Sequence, residues 1–187
     1  MDIVSSFRNP LVWNLNKKPE MQAFLSNLYW HFKRLEGIAT YDASKLAPQQ
    51  KRLWLYKEPT LTGRLSYKSA FIDDFTDQSI RYLYSDCDVA LVSYHCPNAN
   101  SYGYIAPHRD AKFAKQPAVI LNLGGPSIFG YSPQRRNIYV ENCTQFWLEH
   151  GDLLAFNCKH VHYAIPASTQ EDRIALVMWS SNPDTQL

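Results

Sequence analysis

The sequence predicts an α+β fold, mainly β, in which helices come first and a β-sandwich or barrel follows. Two observations carry this prediction. An amphipathic helical pattern lies near the beginning of the chain, and from residue 88 onward nine short apolar segments are divided by Gly, Pro and Asn. Short strands at such spacing are typical of a sandwich or barrel.

The length and composition suit one compact domain. A chain of 187 residues, 45% of them hydrophobic, can bury enough surface to fold without disulfides. We expect residues 1–187 to form a single domain, with the helices in about 1–86 and the strand-rich core in about 87–180. Only 19% of the residues are charged, which excludes a disordered or fibrous chain.

The net charge, the cysteines and the absence of long apolar runs indicate which partners and which cellular compartment to expect. The formal net charge of +2 is well short of the strongly basic balance of a dedicated nucleic-acid binder. The four cysteines show no CxxC spacing, so we expect reduced thiols rather than a zinc site. No apolar run is long enough to span a bilayer, and the first residues lack the pattern of a signal peptide. We therefore expect a cytoplasmic protein with no membrane partner.

Two helices are predicted before the strands. Pro19 suits the first turn of a helix and Gly37 lies just beyond its end, so an amphipathic helix packed on a sheet is predicted over 19–35. Its apolar side chains recur at three- and four-residue spacings: Met21, Phe24, Leu25, Leu28, Tyr29, Phe32 and Leu35. A weaker helix is predicted over about 77–84, with Thr76 as its N-cap.

The strands are predicted from segments rich in Val, Ile, Leu, Phe and Tyr. They cover residues 89–95, 101–110, 118–124, 127–132, 137–142, 145–150, 152–157, 161–165 and 173–179.

A His-x-Asp pair within the predicted strands points to metal chemistry. Residues i and i+2 of a strand project to one face, so His108 and Asp110 can bind one ion together. A third ligand from a later strand, either His160 or His162, would complete a 2-His-1-carboxylate triad that leaves positions open on iron(II). Arg173, 11 residues after His162, could pair with the far carboxylate of 2-oxoglutarate.

Two other histidine patterns compete with this interpretation. His150 and Asp152 form a second His-x-Asp pair, but no distant histidine completes it, so we predict a turn into the next strand. His160 and His162 could instead form a cupin-like His-x-His pair, which would need a later carboxylate; the acidic residues at 171–172 lie in a predicted turn.

From about residue 47 to residue 179, the sequence resembles the AlkB-like iron(II)/2-oxoglutarate dioxygenases. The matching blocks occur in the family's order at residues 108–110, 118–129, 148–156, 162–166 and 173–176. The resemblance implies a double-stranded β-helix, or jelly-roll, with N-terminal helices packed on one sheet. It also implies a nucleotide-recognition lid among the first 86 residues.

The resemblance assigns the catalytic and cofactor residues. It implies that His108, Asp110 and His162 hold iron(II), and that Arg173 holds the C5 carboxylate of the cosubstrate 2-oxoglutarate, with O2 as the oxidant. The order His-Tyr-Ala-Ile-Pro favours His162 over His160, and the carboxylate of Asp110 favours hydroxylation over halogenation.

The sequence departs from the family pattern at two strands. The family's Asn-x-Tyr, which helps to bind 2-oxoglutarate, is here Ser93-Tyr94-His95. Either His95 replaces the tyrosine or a shift by one residue supplies Tyr94. The family's final R-x-N-x-T-x-R is here Arg-x-Ala-x-Val-x-Trp over 173–179, so the second arginine is replaced by Trp179.

The segment 48–68 resembles the family's lid. It suggests four substrate-binding residues: Arg52, Trp54, Tyr56 and Tyr67. Aromatic faces can stack a flipped base while cations hold phosphates. The alternative is that these aromatic side chains cap the hydrophobic core.

The resemblance implies an oxidoreductase that demethylates alkylated nucleobases in DNA or RNA by hydroxylation, with release of formaldehyde, succinate and CO2. The modest charge and the missing second arginine leave a second hypothesis open, a hydroxylase of a free nucleotide, nucleoside or other small metabolite. A third hypothesis is a catalytically inactive jelly-roll binding module. We expect a monomer whose partner is alkylated DNA, RNA or a nucleotide.

Overall fold

The computed structural model describes residues 9–41, 47, 50–59, 65–66, 70–95, 104–133, 140–168 and 170–182. Its helices are α1 (Pro19–Leu35) and α2 (Asp74–Leu83). Its strands are β1 (Leu11–Asn14), β2 (Thr40–Tyr41), β3 (Lys51–Leu55), β4 (Glu58–Pro59), β5 (Leu65–Ser66), β6 (Val89–His95), β7 (Ile105–His108), β8 (Ala114–Gly124), β9 (Ser127–Ser132), β10 (Thr144–Leu148), β11 (Asp152–Phe156), β12 (Val161–Pro166) and β13 (Arg173–Ser181).

Two sheets pack face to face. The major sheet has the order β1-β11-β8-β13-β6-β3-β2, and the minor sheet has the order β10-β9-β12-β7. Strands β4 and β5 pair separately. Buried side chains of both main sheets form one apolar cluster between the layers. The prediction of a mainly β, α+β jelly-roll is confirmed.

The helices cover the outer face of the major sheet, as the sequence predicts. A second apolar cluster joins them to outward-facing side chains of that sheet, and its helical members are Met21, Leu25, Leu28, Phe32 and Ile80. The bounds predicted for α1 are confirmed. No helix in the described ranges has the length and apolarity needed to cross a membrane.

Strand alternation decides which side chains can reach the space between the sheets. On β13, Ala175 and Val177 belong to the inner cluster, whereas Leu176 and Met178 belong to the cluster under the helices. Because side chains alternate along a strand, odd-numbered residues of β13 face the interior. The same alternation holds along the neighbouring strand β6, where Leu91 faces inward and Val92 faces the helices.

The predicted boundaries of the second helix are corrected. The side chain of Asp73 accepts a hydrogen bond from the Thr76 N–H at 2.7 Å, so Asp73 is the N-cap and the helix begins at Asp74. Thr76 therefore lies inside the first turn. The sequence prediction failed because two residues that can cap a helix stand three positions apart.

The strand predictions are largely confirmed, but in one predicted strand the described residues form a helical turn. Residues 140–142 form a short 3-10 helix rather than the end of a strand over 137–142, of which 137–139 lie outside the described residues. The strand predicted over 101–110 is shorter, because β7 covers only Ile105–His108 and residues 101–103 are not described. The strands that precede the second helix were not predicted; β2, β4 and β5 have only two residues each.

The turn at residues 149–152 confirms that the second His-x-Asp pair is structural. Asp152 Oδ2 accepts the Glu149 N–H at 2.7 Å, and Gly151 has a φ of +84°. A Cβ at Gly151 would lie 2.7 Å from Leu25 Cδ1 and 2.9 Å from Asn16 Cβ. The turn therefore requires glycine for both its backbone conformation and its close packing.

Replacing Gly151 with alanine should lower the free energy of unfolding by about 1–3 kcal/mol, because a left-handed backbone strains a side chain. Urea unfolding measures the change. Gly37→Ala is the matched control, since a Cβ at Gly37 would meet nothing within 4 Å. Equal stability of the two variants would contradict the strain at Gly151.

His150 supports the same turn in its neutral form. Its Nδ1 accepts the Gly124 N–H at 2.9 Å, and burial lowers the pKa of the imidazole below its ordinary value of 6.5. Protonation would remove the accepting lone pair. The folded protein therefore takes up this proton less readily than the unfolded chain. The contribution of His150 to stability is complete above pH 6.5 and is lost as the pH falls through the lowered pKa.

We expect His150→Asn to reduce the loss of stability on acidification, because the amide oxygen accepts the same hydrogen bond without titrating. Below pH 6.5, the difference in free energy of unfolding between the variant and the wild type should grow. It should stay below the roughly 1 kcal/mol that one hydrogen bond contributes. Urea unfolding at a series of pH values measures it. Parallel pH profiles for the variant and the wild type would contradict this role.

Candidate active site

The predicted metal ligands meet at one end of the minor sheet. Strands β7 and β12 are antiparallel neighbours, and His108 is the register partner of His162. Asp110 follows β7 and is fixed by its backbone N–H, which donates to the Cys158 carbonyl at 2.9 Å. One ligand atom from each of the three side chains lies within 4.8 Å of the others.

The carboxylate faces both imidazoles through one oxygen. Asp110 Oδ1 lies 3.6 Å from His108 Nε2 and 3.5 Å from His162 Nε2. Burial alone would raise the pKa of Asp110, but the imidazoles of His162 and His108 outweigh it and hold the pKa well below its usual range. The group therefore offers a carboxylate anion beside two imidazole nitrogens.

The hydrogen bonds of both rings leave their Nε2 atoms free to bind a metal. His108 Nδ1 lies 2.8 Å from the Ala106 carbonyl oxygen, and His162 Nδ1 lies 3.0 Å from the His160 carbonyl oxygen. A carbonyl oxygen can only accept, so each Nδ1 donates to the backbone, and Nε2 is the ring nitrogen that faces Asp110 and can act as the metal ligand. Two such imidazoles and one carboxylate form the ligand set of non-haem iron(II) oxygenases. The residues present fit that metal.

The side chain of His160 lies outside this group. Its Nδ1 is 2.5 Å from the Tyr131 hydroxyl oxygen, and its carbonyl oxygen is 3.0 Å from His162 Nδ1. The structure thus brings His162, rather than His160, to the other ligands.

Two aromatic rings fix the orientation of His162. Phe129 is stacked on it with ring centroids 5.9 Å apart, and Phe156 meets it edge-on at 4.7 Å. Both rings are buried between the sheets. The ligand is therefore held by packing as well as by its hydrogen bond.

The ligand group opens into a cavity of about 240 Å³ between the sheets. Most of its wall is apolar, including Leu91, Ile120 and Val177 of the major sheet. Arg52 and Trp54 of β3 also line it, so two of the four predicted substrate residues reach the cavity. An apolar cavity beside a metal group keeps water away from the reacting atoms.

The other two predicted substrate residues are not brought to the cavity. Tyr56 lies beyond the end of β3 with a φ of +64°, and its hydroxyl donates to Asp77 Oδ1 of α2 at 2.7 Å. It packs with the cluster under the helices, which corrects its predicted substrate role. Tyr67 lies outside the described residues.

Arg173 lies on the inner face at the beginning of β13, and its side chain is only 2% exposed. Its Nε donates to Asn122 Oδ1 at 2.6 Å, and one terminal nitrogen lies 2.8 Å from His95 Nε2. No ion pair joins it to an acidic side chain within the described ranges. Burial lowers the pKa of its guanidinium to about 10. Within the described part of the chain, Arg173 is thus a buried cation without an acidic partner, and it is not among the residues that line the cavity.

The alternation of side chains along β6 shows whether His95 or Tyr94 faces the interior, as a replacement for the family's tyrosine would have to do. His95 and Ser93 face inward, where the Ser93 hydroxyl donates to Gln50 Oε1 at 2.7 Å and the amide nitrogen of Gln50 lies 3.1 Å from His95 Nε2. Tyr94 faces the helices and donates to the Phe32 carbonyl oxygen at 2.9 Å. The suggestion that Tyr94 reaches the cosubstrate site is therefore corrected.

Three residues near the site were missed or misjudged from the sequence. Asn122, a polar residue inside the apolar run 118–124, bonds Arg173 and Ser127, and that interruption was an available signal. Gln50 gave no signal. Trp179 was noted only for the arginine it replaces, yet its indole N–H donates to Asp110 Oδ2 at 2.7 Å.

The topology and the ligand set together define the fold class of the iron(II)/2-oxoglutarate oxygenases. Among solved structures, the chain is similar to OsALKBH1, with 13% identity, a TM-score of 0.65 and coverage of 91% of this chain and 96% of that one. It is also similar to a Pseudomonas putida prolyl-4-hydroxylase, with 11% identity, a TM-score of 0.60 and coverage of 96% and 97%.

A third similar structure is an oxidoreductase of the 2OG-Fe(II) oxygenase family from Burkholderia pseudomallei. It has 13% identity to this chain, a TM-score of 0.56 and coverage of 95% of this chain and 88% of that one. No family model and no curated protein matches the sequence. The likeness confirms the AlkB-like resemblance at the level of the fold.

Proposed function

We propose that the chain is an iron(II)- and 2-oxoglutarate-dependent dioxygenase that demethylates alkylated nucleobases in DNA or RNA. The observation that carries this proposal is the convergence of His108, Asp110 and His162, whose ligand atoms lie within 4.8 Å of one another beside an apolar cavity. A binding module without activity would have no need to keep all three groups.

The three side chains would hold iron(II). When bound, the metal with 2-oxoglutarate supplies the oxidation of a C–H bond by O2, with succinate and CO2 as the other products. The chain contributes fixed ligands, because the carbonyl oxygens of Ala106 and His160 set the orientation of the two imidazoles. Three protein ligands leave the remaining coordination positions open for cosubstrate and oxidant.

Arg173 is the proposed anchor for the C5 carboxylate of 2-oxoglutarate. A buried guanidinium with no acidic partner among the described residues is costly, and a bound carboxylate would supply the missing counter-charge. His95 and Ser93 lie on the same inner face and would supply further polar groups beside the bound carboxylate. His95 would then take the place of the family's tyrosine.

Trp54 and Arg52 are the proposed contacts to the substrate. Both line the cavity on the side of β3, where an aromatic face lies next to a cation. A flipped base stacks on aromatic rings while cations contact its phosphates. The net charge of +2 favours the second hypothesis, in which the substrate is a free nucleotide rather than a polymer.

The test is product formation with iron(II), 2-oxoglutarate and methylated substrates. Single-stranded methylated DNA and RNA oligonucleotides are compared with the matching methylated nucleotides and with unmethylated oligonucleotides. Formaldehyde and succinate formed in equal amounts from the methylated oligonucleotides support the proposal. Formaldehyde from the nucleotides alone selects the second hypothesis. Succinate without formaldehyde from any of them would overturn base demethylation.

The ionic-strength dependence of binding separates polymer from nucleotide independently of turnover. Binding of a polymer releases counterions from several phosphates, so its affinity falls steeply with salt. A methylated oligonucleotide should therefore lose affinity much faster than a methylated mononucleotide as salt is raised.

A further inference from the structure

The indole of Trp179 completes the hydrogen bonding of the metal-ligand carboxylate. Its Nε1–H donates to Asp110 Oδ2 at 2.7 Å, and the side chain is 5% exposed. An indole has one donor and no acceptor, so this bond uses its whole capacity. The bond joins the major sheet to a ligand of the metal group on the other layer.

The two oxygens of Asp110 have different surroundings. Oδ1 faces the Nε2 atoms of His108 and His162, at 3.6 and 3.5 Å, whereas Oδ2 is engaged by Trp179. A carboxylate can bind a metal through one oxygen or through both. With Oδ2 engaged elsewhere, Oδ1 is the oxygen directed at the metal position.

The backbone aims Trp179 at this carboxylate. Trp179 pairs with Val89 in the unbroken register between β13 and β6, so it keeps the alternation of β13 and faces the interior with the other odd-numbered residues. Phe113 then packs edge-on against the indole, with ring centroids 5.8 Å apart. The strand thus directs the ring, and the contact with Phe113 is an addition to the hydrogen bond.

We propose that Trp179 is a positioning residue that keeps Asp110 a ligand through Oδ1 alone. This inference rests on the proposed function. A one-oxygen carboxylate leaves an additional position open for cosubstrate or O2. A neutral donor also adds no positive charge beside the carboxylate, which therefore keeps its full negative charge for the metal.

The test measures metal binding rather than turnover. Co(II) is the probe, because its visible absorption reports the number and arrangement of its ligands. Trp179→Phe should weaken Co(II) binding by about 10- to 100-fold, the usual cost of losing an outer partner of a ligand, and should change the visible spectrum. Phe113→Leu is the matched control: it loosens the packing of the indole but keeps the donor, so it should bind Co(II) like the wild type.

Each result separates this inference from the proposed function. If the wild type binds no Co(II), the metal site itself is wrong. If the wild type binds it and Trp179→Phe binds it with the same affinity and spectrum, the positioning role is wrong. Equal weakening in Phe113→Leu assigns the effect to packing and also overturns the role. If Trp179→Phe does not fold, benzothienylalanine at position 179, which replaces the indole N–H with sulfur, decides the same question.

Discussion

His108→Ala and Asp110→Asn should abolish the turnover of 2-oxoglutarate while leaving the fold intact. Each change removes one ligand from a set of three whose atoms lie within 4.8 Å of one another. Loss of an outer partner alone costs about 10- to 100-fold in metal affinity, so loss of a ligand should cost more than about 100-fold. Succinate formation measures the effect.

The structure explains why these variants should still fold. His108 is partly exposed at the end of a short strand, and the amide of Asp110→Asn keeps the shape and the acceptor that Trp179 needs. Urea unfolding checks this directly. His160→Ala is the control, because its ring bonds Tyr131 rather than the metal group. Activity retained by Asp110→Asn but lost in His160→Ala would contradict the ligand assignment.

Arg173→Met should raise the KM for 2-oxoglutarate by about 100-fold, because a charge-assisted hydrogen bond to a carboxylate contributes about 1.5–3 kcal/mol. The same change should not lower the stability of the protein without cosubstrate. The guanidinium is buried and has no acidic partner in the described ranges, and an apolar side chain of similar length avoids its desolvation. Asn122 keeps the Ser127 hydroxyl as a donor.

A raised KM for 2-oxoglutarate together with an unreduced stability of the unliganded protein distinguishes a binding role of Arg173 from a structural one. Thermal unfolding with and without 2-oxoglutarate shows the difference, since a ligand stabilises only the protein that binds it. The wild type should gain stability from 2-oxoglutarate and Arg173→Met should not. Arg173→Lys keeps the charge but loses the paired geometry, so its KM should lie between them. An unchanged KM in Arg173→Met would contradict the assignment.

The strongly periodic parts of the chain could be predicted from the sequence. Helix α1 has a complete apolar stripe with a proline at its first turn, and its bounds are as predicted. Strands β6 and β9 are bounded as predicted because turn residues or a break in pattern mark both ends. By contrast, β1 to β5 were not predicted, since short strands are stabilised by their neighbours rather than by local pattern.

The site could be predicted only where local spacing determines geometry. His108 and Asp110 stand two residues apart, so their proximity follows from the chain itself. On β6, His95 points to the interior and Tyr94 points to the helices. This orientation depends on which face of the sheet the helices cover, and the local sequence does not show that. The bond from Trp179 to Asp110 spans 69 residues and requires the packing of two sheets, so no local pattern could predict it.

The two layers of the sandwich supply different halves of the chemistry. Both histidine ligands belong to β7 and β12 of the minor sheet, whereas Arg173 belongs to β13 of the major sheet. If the proposed assignments hold, neither layer by itself would bind iron(II) together with 2-oxoglutarate. On these assignments, a chain whose layers have come apart would keep the metal ligands without the cosubstrate anchor, so it could not turn over 2-oxoglutarate.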